Sequence, residues 1–251
     1  TLTTDRSDAS GTGYFSAARD EYRPDLLGLA LRGRTPLLPE VIEPSGVAAR
    51  TPGGVALGAG LGDNAAAAFG LQAGPGDAIV SLGTSGVVSA VTDVAPCDPS
   101  GIVAGFADAT GRQLPLVCTL NGAPVLSATA TMLDVDLDEF ARLAMSTPAG
   151  SNGLTLIPYL AGERSPNLPD ATGTLCGITT ANFTPSSVAR AAVEGLLCSL
   201  VWCREQIEEQ GVDVERILMV GGGTKSTAVR TVAPTVFGGT VSLPADGEWV
   251  A

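Results

Sequence analysis

Histidine is absent from all 251 residues. That removes Ser-His-Asp and Cys-His nucleophilic catalysis, and every zinc site built on imidazole. A general base must then be Asp, Glu, Lys or Tyr. Basic residues are scarce as well: 14 Lys and Arg stand against 26 Asp and Glu, a formal net charge of −12. Such a surface argues against nucleic acid and anionic membranes, which are met by clustered Lys and Arg. It leaves ATP open, because a few local donors and Mg²⁺ can hold a nucleotide in an acidic protein. No CxxC pair occurs. Cys97, Cys118, Cys176, Cys198 and Cys203 are odd in number and scattered, and read as thiols in a reducing cytosol. No charged-then-apolar leader opens the chain, so a cytoplasmic protein is expected. The uncharged stretch 113–133 is broken by Pro115, Asn121-Gly122 and Pro124, and so is not a membrane span.

What is present is an ordinary globular composition, 45% apolar and 16% charged, enough for one large domain or two smaller ones. The chain opens on Thr1-Leu2-Thr3-Thr4, polar turn chemistry without an initiator Met, and stops abruptly at Trp249-Val250-Ala251. A piece of a longer protein is the expectation. Residues 23–31 and 65–69 read as short helices among Pro- and Gly-rich loops. Gly74-Pro75-Gly76 is the strongest boundary signal. Beyond it, 78–80 and 87–91 are β-rich runs, 114–120 a further strand, 123–133 and 137–145 helices, and 154–160 and 174–178 strands or extended core. A long helix is predicted over 186–210, with Thr184 as N-cap, Pro185 at the first position and Gly211 beyond its end. A buried strand at 216–220 runs into Gly221-Gly222-Gly223, a helix follows from about Thr224, and 241–243 is a last strand. Hairpin strands followed by strand–helix alternation predict an α/β domain.

The chemistry concentrates in a few places. Asp63 heads the short Ala-rich helix. Its position fits an N-cap, and it equally fits a base that takes the proton of an attacking alcohol. Ser81-Leu82-Gly83-Thr84-Ser85-Gly86 is a Gly/Ser/Thr turn whose backbone can approach an anion, and is also a fair hairpin turn. Gly221 to Gly223 between strand and helix can seat a nucleotide or simply allow tight packing. Lys225-Ser226 invites a Walker A reading, but Thr224 stands where that motif needs Gly. Asn121-Gly122 is another point of close approach. Glu163-Arg164 reads first as a local ion pair fixing its loop, and second as a ligand contact. A carboxylate and a phosphate-binding turn together point to phosphoryl transfer to a hydroxyl.

Taken in order, Ser7-Asp8-Ala9-Ser10-Gly11-Thr12, Leu38-Pro39-Glu40, Gly62-Asp63-Asn64-Ala65-Ala66, the Ser81–Gly86 turn, Pro158 to Pro166, Gly173 leading to Glu194-Gly195, and Gly221-Gly222-Gly223 resemble the FGGY carbohydrate kinases, nearest their xylulokinase branch. Residues 247–251 resemble the opening of that family's terminal helix. The resemblance implies an actin-like, ribonuclease-H-like α/β fold of two domains around a cleft. Residues 1–73 would be the end of the first, sugar-binding domain, and 74–251 most of the second, nucleotide-binding domain. It implies Asp63 as catalytic base and Asn64 as a sugar contact. Gly83 and Thr84 would face the ATP phosphates, and Gly122, Gly222, Gly223 and Ser226 would line the nucleotide site. The cofactors implied are ATP and Mg²⁺ bridging its phosphates, with no metal-ligating residue among these 251. The substrate implied is a sugar, D-xylulose first, with gluconate, ribulose or glycerol as alternatives. A non-catalytic actin-like nucleotide-binding module is a further alternative. The partners implied are the N-terminal half of the kinase, whose Asp-x-Gly-Thr hairpin has no counterpart here, and a second copy in a homodimer.

Overall fold

The computed structural model describes residues 2–244. Residues 247–251, expected to open a terminal helix, lie outside them.

The chain does not open as a polar turn. Strand β1 (Thr3–Asp5) runs into a one-turn helix α1 (Arg6–Ser10), because the Asp5 carboxylate accepts the Ser7 and Asp8 N–H groups and caps it. A small hairpin, β2 (Phe15–Ser16) and β3 (Glu21–Tyr22), and helix α2 (Pro24–Ala30) follow. Strand β4 (Glu40–Ile42) returns to pair in parallel with β1. The hairpin β5 (Val47–Arg50) and β6 (Ala56–Gly58) leads to helix α3 (Asp63–Gly70).

After the turn at Gly74–Gly76 a six-stranded sheet begins. Strands β7 (Asp77–Leu82), β8 (Gly86–Ala90), β9 (Ala104–Ala107) and β10 (Gln113–Cys118) are antiparallel neighbours, with β9 outside β10 at the edge. Helices α4 (Pro124–Met132) and α5 (Leu137–Met145) then lead to a two-stranded pair, β11 (Thr155–Ile157) and β12 (Thr174–Cys176), and the long helix α6 (Pro185–Glu208). Strand β13 (Arg216–Val220) enters beside β7 and parallel to it. Helix α7 (Thr227–Phe237) crosses over, and β14 (Val241–Ser242) adds in parallel outside β13. The order is β14-β13-β7-β8-β10-β9, so the expected sequence of hairpins and then strand–helix units is realised. Strand β9 was not anticipated: Ala-Gly-Phe-Ala carries little β preference, and pairing with β10 fixes it.

The sheet is covered on both faces, which is why β7 and β13 read as continuous apolar runs. One face packs Val80, Leu82, Val88 and Met219 against Leu196, Leu200, Phe140 and Val229 from the helices. The other packs Ile79, Val91, Leu114 and Val220 against Ala65 and Ala68 of α3. The small side chains of α3 let it lie close on the sheet, and so bring Asp63 to it. By length and composition α6 could cross a membrane, yet its stripe through Leu196, Leu200, Cys203 and Ile207 is fully buried in the core. Each such leucine stabilises the fold by roughly 1.5–3 kcal/mol. Thr184 caps α6 by accepting the Ser187 N–H, and Gly211 beyond its end takes φ +81°, as its sequence anticipates. The helix expected from Thr224 starts later. Residues Gly222–Lys225 form a 3₁₀ turn, and Ser226 is the N-cap of α7, its hydroxyl accepting the Val229 N–H at 3.5 Å.

Candidate active site

Three Gly-containing turns leave the same end of the sheet. Register dictates this: Val220, the last residue of β13, lies opposite Ser81 in β7, and Cys118, the last of β10, lies opposite Val87 at the start of β8. The turn 83–85 after β7, the turn 221–223 after β13 and the turn 119–123 after β10 are therefore neighbours. Gly221 takes φ +93°, and a Cβ there would stand 2.7 Å from the Leu82 carbonyl oxygen, so only glycine fits. Gly122 is needed for close approach, since its Cβ would meet the Gly83 oxygen at 2.5 Å. The Ala123 N–H donates to that same oxygen (2.8 Å), and the Thr119 hydroxyl accepts the Gly86 N–H (2.9 Å).

Between these turns and the helices lies a cavity of about 640 Å³. One wall is polar: Gly83, Thr84, Gly222, Gly223 and Ser226. The other is apolar, built by Leu126 of α4 with Leu137 and Phe140 of α5. Lys225 adds a cation, and Ser226 and Thr227 bring the N-terminus of α7 to the space. Volume and lining suit a ligand with an anionic end and a flat apolar end. Of the predicted nucleotide contacts, Gly83, Thr84, Gly222, Gly223 and Ser226 line this one cavity. Gly122 does not line it; it lies behind the 83–85 turn.

Asp63 is the first residue of α3, and Gly62 takes the N-cap place, so the Asp63 carboxylate is not the helix's cap. It is exposed, and its Oδ1 accepts the Asn64 backbone N–H (2.7 Å) and side-chain amide (3.1 Å). Asp63 and Asn64 line a small cavity of about 70 Å³ together with Ser7, Asp8 and Phe106. The Ser7 hydroxyl accepts the Gly62 N–H (2.8 Å) and donates to Asp5, which anchors the start of α3 to α1. Asp8 was not singled out from sequence. Burial, then the charges of Asp5 and Asp63, push its carboxyl above the usual carboxylate range. Cys118 is the last residue of β10. Burial raises its thiol pKa, the neighbouring Arg164 guanidinium opposes that, and the Asp63 charge adds to the rise. Asp63 heads the helix that packs on the sheet through Ala65 and Ala68.

The Glu163-Arg164 ion pair expected from sequence does not form among the described residues. Arg164 is exposed, while Glu163 is 1% exposed and turned inward. Its Oε1 accepts the N–H groups of Leu120 (2.6 Å) and Arg164 (2.7 Å), and its Oε2 accepts the Asn121 amide (2.9 Å). Adjacent residues in a loop point apart, and a long-range partner forty residues away won over the local one. No group of three or more His, Cys, Asp or Glu among the described residues can hold a metal ion. The apolar wall was also missed. Helices α4 and α5 are legible, but nothing local says which of their apolar side chains line a cavity and which fill the core.

Residues 78–251 match the FGGY family of carbohydrate kinases, C-terminal domain. Over 99% of its length the chain is 40% identical to the xylulose kinase of Streptomyces rubiginosus, and it covers 52% of that relative. The crystal structure of xylulose kinase from Bifidobacterium adolescentis superposes with a TM-score of 0.92 at 46% identity, over 100% of this chain and 54% of that one. A gluconate kinase from Lactobacillus acidophilus superposes at 0.89 with 25% identity, over 99% and 54%. The chain thus spans about half the length of the relatives it matches, and its fold is the actin-like α/β fold of those kinases.

Proposed function

The chain belongs to the FGGY family of carbohydrate kinases, and from that premise we propose that the protein containing it transfers the γ-phosphoryl group of ATP to a hydroxyl of D-xylulose. The observation that carries this reading is the convergence of three Gly-containing turns on one 640 Å³ cavity, together with the exposed Asp63 at the head of the helix packed on the same sheet.

In this reading the nucleoside lies against Leu126, Leu137 and Phe140. The phosphates lie along Gly83, Thr84, Gly222 and Gly223, with Ser226 and the α7 N-terminus as further donors. MgATP enters as a substrate, its Mg²⁺ carried on the phosphates and neutralising their charge. Asp63 accepts the proton of the attacking sugar hydroxyl, and Asn64, hydrogen-bonded to it, contacts the sugar. A base in such a transfer needs no raised pKa, because in a loose transition state the proton moves late. Residues 1–73 contribute the end of a sugar-binding domain and 74–251 a nucleotide-binding domain, with α3 joining them through its packing on the sheet. The remainder of the sugar pocket comes from an N-terminal half.

D-Xylulose is favoured by the relatives at 40% and 46% identity, both xylulose kinases, over the gluconate kinase at 25%. The test is ADP release by the full-length protein with D-xylulose, D-ribulose, gluconate and glycerol in parallel. We expect D-xylulose to give the highest kcat/KM. A higher value with any of the others would reassign the substrate, and no turnover with any polyol would end the kinase reading.

A further inference from the structure

Glu163 is a buried charge that the chemistry above does not use. A carboxylate taken out of water is costly unless donors surround it. Here three N–H donors, from Leu120, Arg164 and the Asn121 side chain, converge on two oxygens at 2.6, 2.7 and 2.9 Å. Asn121 is equally committed: its amide also donates to the Gly162 carbonyl (2.7 Å), and its Oδ1 accepts the Leu160 N–H (3.0 Å). The pair therefore fastens the 119–123 turn to the 160–164 loop from both sides. That turn presses directly on the phosphate turn. Gly122 leaves no room for a Cβ against Gly83, Ala123 N–H donates to the Gly83 oxygen, and Thr119 bridges the Gly86 N–H to the Asn121 carbonyl.

We infer that Glu163 and Asn121 are positioning residues: they touch no substrate and hold Gly83 and Thr84 where a phosphate is bound, acting through the 119–123 turn. The inference rests on the kinase reading only for the identity of what Gly83 and Thr84 hold. Charge, and not only shape, is required. An amide in place of the carboxylate keeps one acceptor oxygen and turns the other site into a donor facing a donor.

The test uses the full-length protein and reads ADP affinity by calorimetry in the presence of Mg²⁺, with sugar KM measured alongside. We expect Glu163→Gln to weaken ADP binding about tenfold while sugar KM stays within about twofold, a split that general loosening would not produce. Val188→Ala, a change in the separate buried cluster near the N-terminal end of α6, serves as the control and should lower Tm without altering ADP affinity. Should Glu163→Gln not fold, Asn121→Ser, which removes one of the three donors, is read on the same scale. Wild-type ADP affinity in a folded Glu163→Gln, or equal loss of ADP and sugar binding, would overturn the inference. A wild-type protein that binds ADP yet phosphorylates no sugar would defeat the proposed function and leave this measurement intact.

Discussion

Asp63 occupies a position where a carboxylate is commonly absorbed by its own helix. Gly62 takes the N-cap place instead, and Asp63 bonds only to Asn64, which leaves its Oδ2 free of hydrogen bonds among the described residues. If this oxygen receives the sugar proton, its loss should strike turnover and spare nucleotide binding, whose cavity lies between other residues. Asp63→Ala is expected to lower kcat by on the order of 10²–10⁴-fold, with ADP affinity by calorimetry unchanged. Near-normal phosphorylation by this variant would remove Asp63 from the role. At this scale the sequence was readable where chemistry is local. Gly83, Thr84, Gly222 and Gly223 stand in turns whose composition announces them. Gly122 looked the same, yet it supports the 83–85 turn without lining the cavity, because that depends on the pairing of β10 with β8. Asp8 beside Asp63 depends on contacts across more than fifty residues, as the Gly62–Ser7 bond does, and no periodicity encodes such a meeting.

Elements were legible in proportion to how far they carry their own signals. Helix α6 announces its cap, its first-turn proline and its terminal glycine, and α5 was anticipated to the residue. Strands β1 and β9 are short and weakly patterned, and exist because a neighbour pairs with them. Pairing also explains why β13 sits beside β7. Arg216 reaches the Asp77 carboxylate with a two-pronged hydrogen bond of 2.8 and 2.7 Å, and the Gly74 N–H adds a third (2.9 Å). Burial alone would raise the Asp77 pKa, but the Arg216 and Gly74 donors outweigh it and hold the carboxyl below the usual range. A carboxyl whose folded pKa is lowered stabilises the fold above its unfolded value. That contribution is lost as pH falls from about 4 through the depressed folded value. Asp77→Asn should therefore cost about 1–2 kcal/mol at pH 7, a figure kept small because Arg216 is half exposed. The difference from wild type should shrink as the pH of a urea titration is taken below 4. A difference that stayed constant down to acid pH would show that the ionised carboxylate is not what matters there.

At the scale of the molecule, the two regions of the chain are unequal in what they complete. The cavity proposed for the nucleotide is lined, among the described residues, from residue 83 to residue 227 by the sheet's end turns and the helices around them. The side proposed for the sugar offers Asp63, Asn64, Ser7 and Asp8 around about 70 Å³, well under the ~300–1,000 Å³ of a typical ligand pocket. The regions are nonetheless fastened together. Arg6, buried, donates to the Arg112 carbonyl (2.6 Å), the Ala107 N–H donates to the Ser10 hydroxyl (2.9 Å), and the Gln113 amide to the Ala17 carbonyl (3.2 Å). Three hydrogen bonds between the β9–β10 hairpin and the α1 region, with α3 packed on the sheet, join residues 1–73 to the sheet. We expect residues 1–251 produced alone to bind ADP within about tenfold of the full-length affinity, since the described residues that line that cavity all lie within them. We also expect them to phosphorylate D-xylulose at under about 1% of the full-length rate, since binding energy and orientation for the sugar are missing. Calorimetry with ADP and a coupled ADP-release assay on the same preparation, its fold checked by circular dichroism, measure both halves of this expectation. Folded protein that turned over at the full-length rate would mean that the sugar site is complete within these residues. Folded protein that failed to bind ADP would mean that the cavity beneath Gly83 and Gly222 is not where the nucleotide lies.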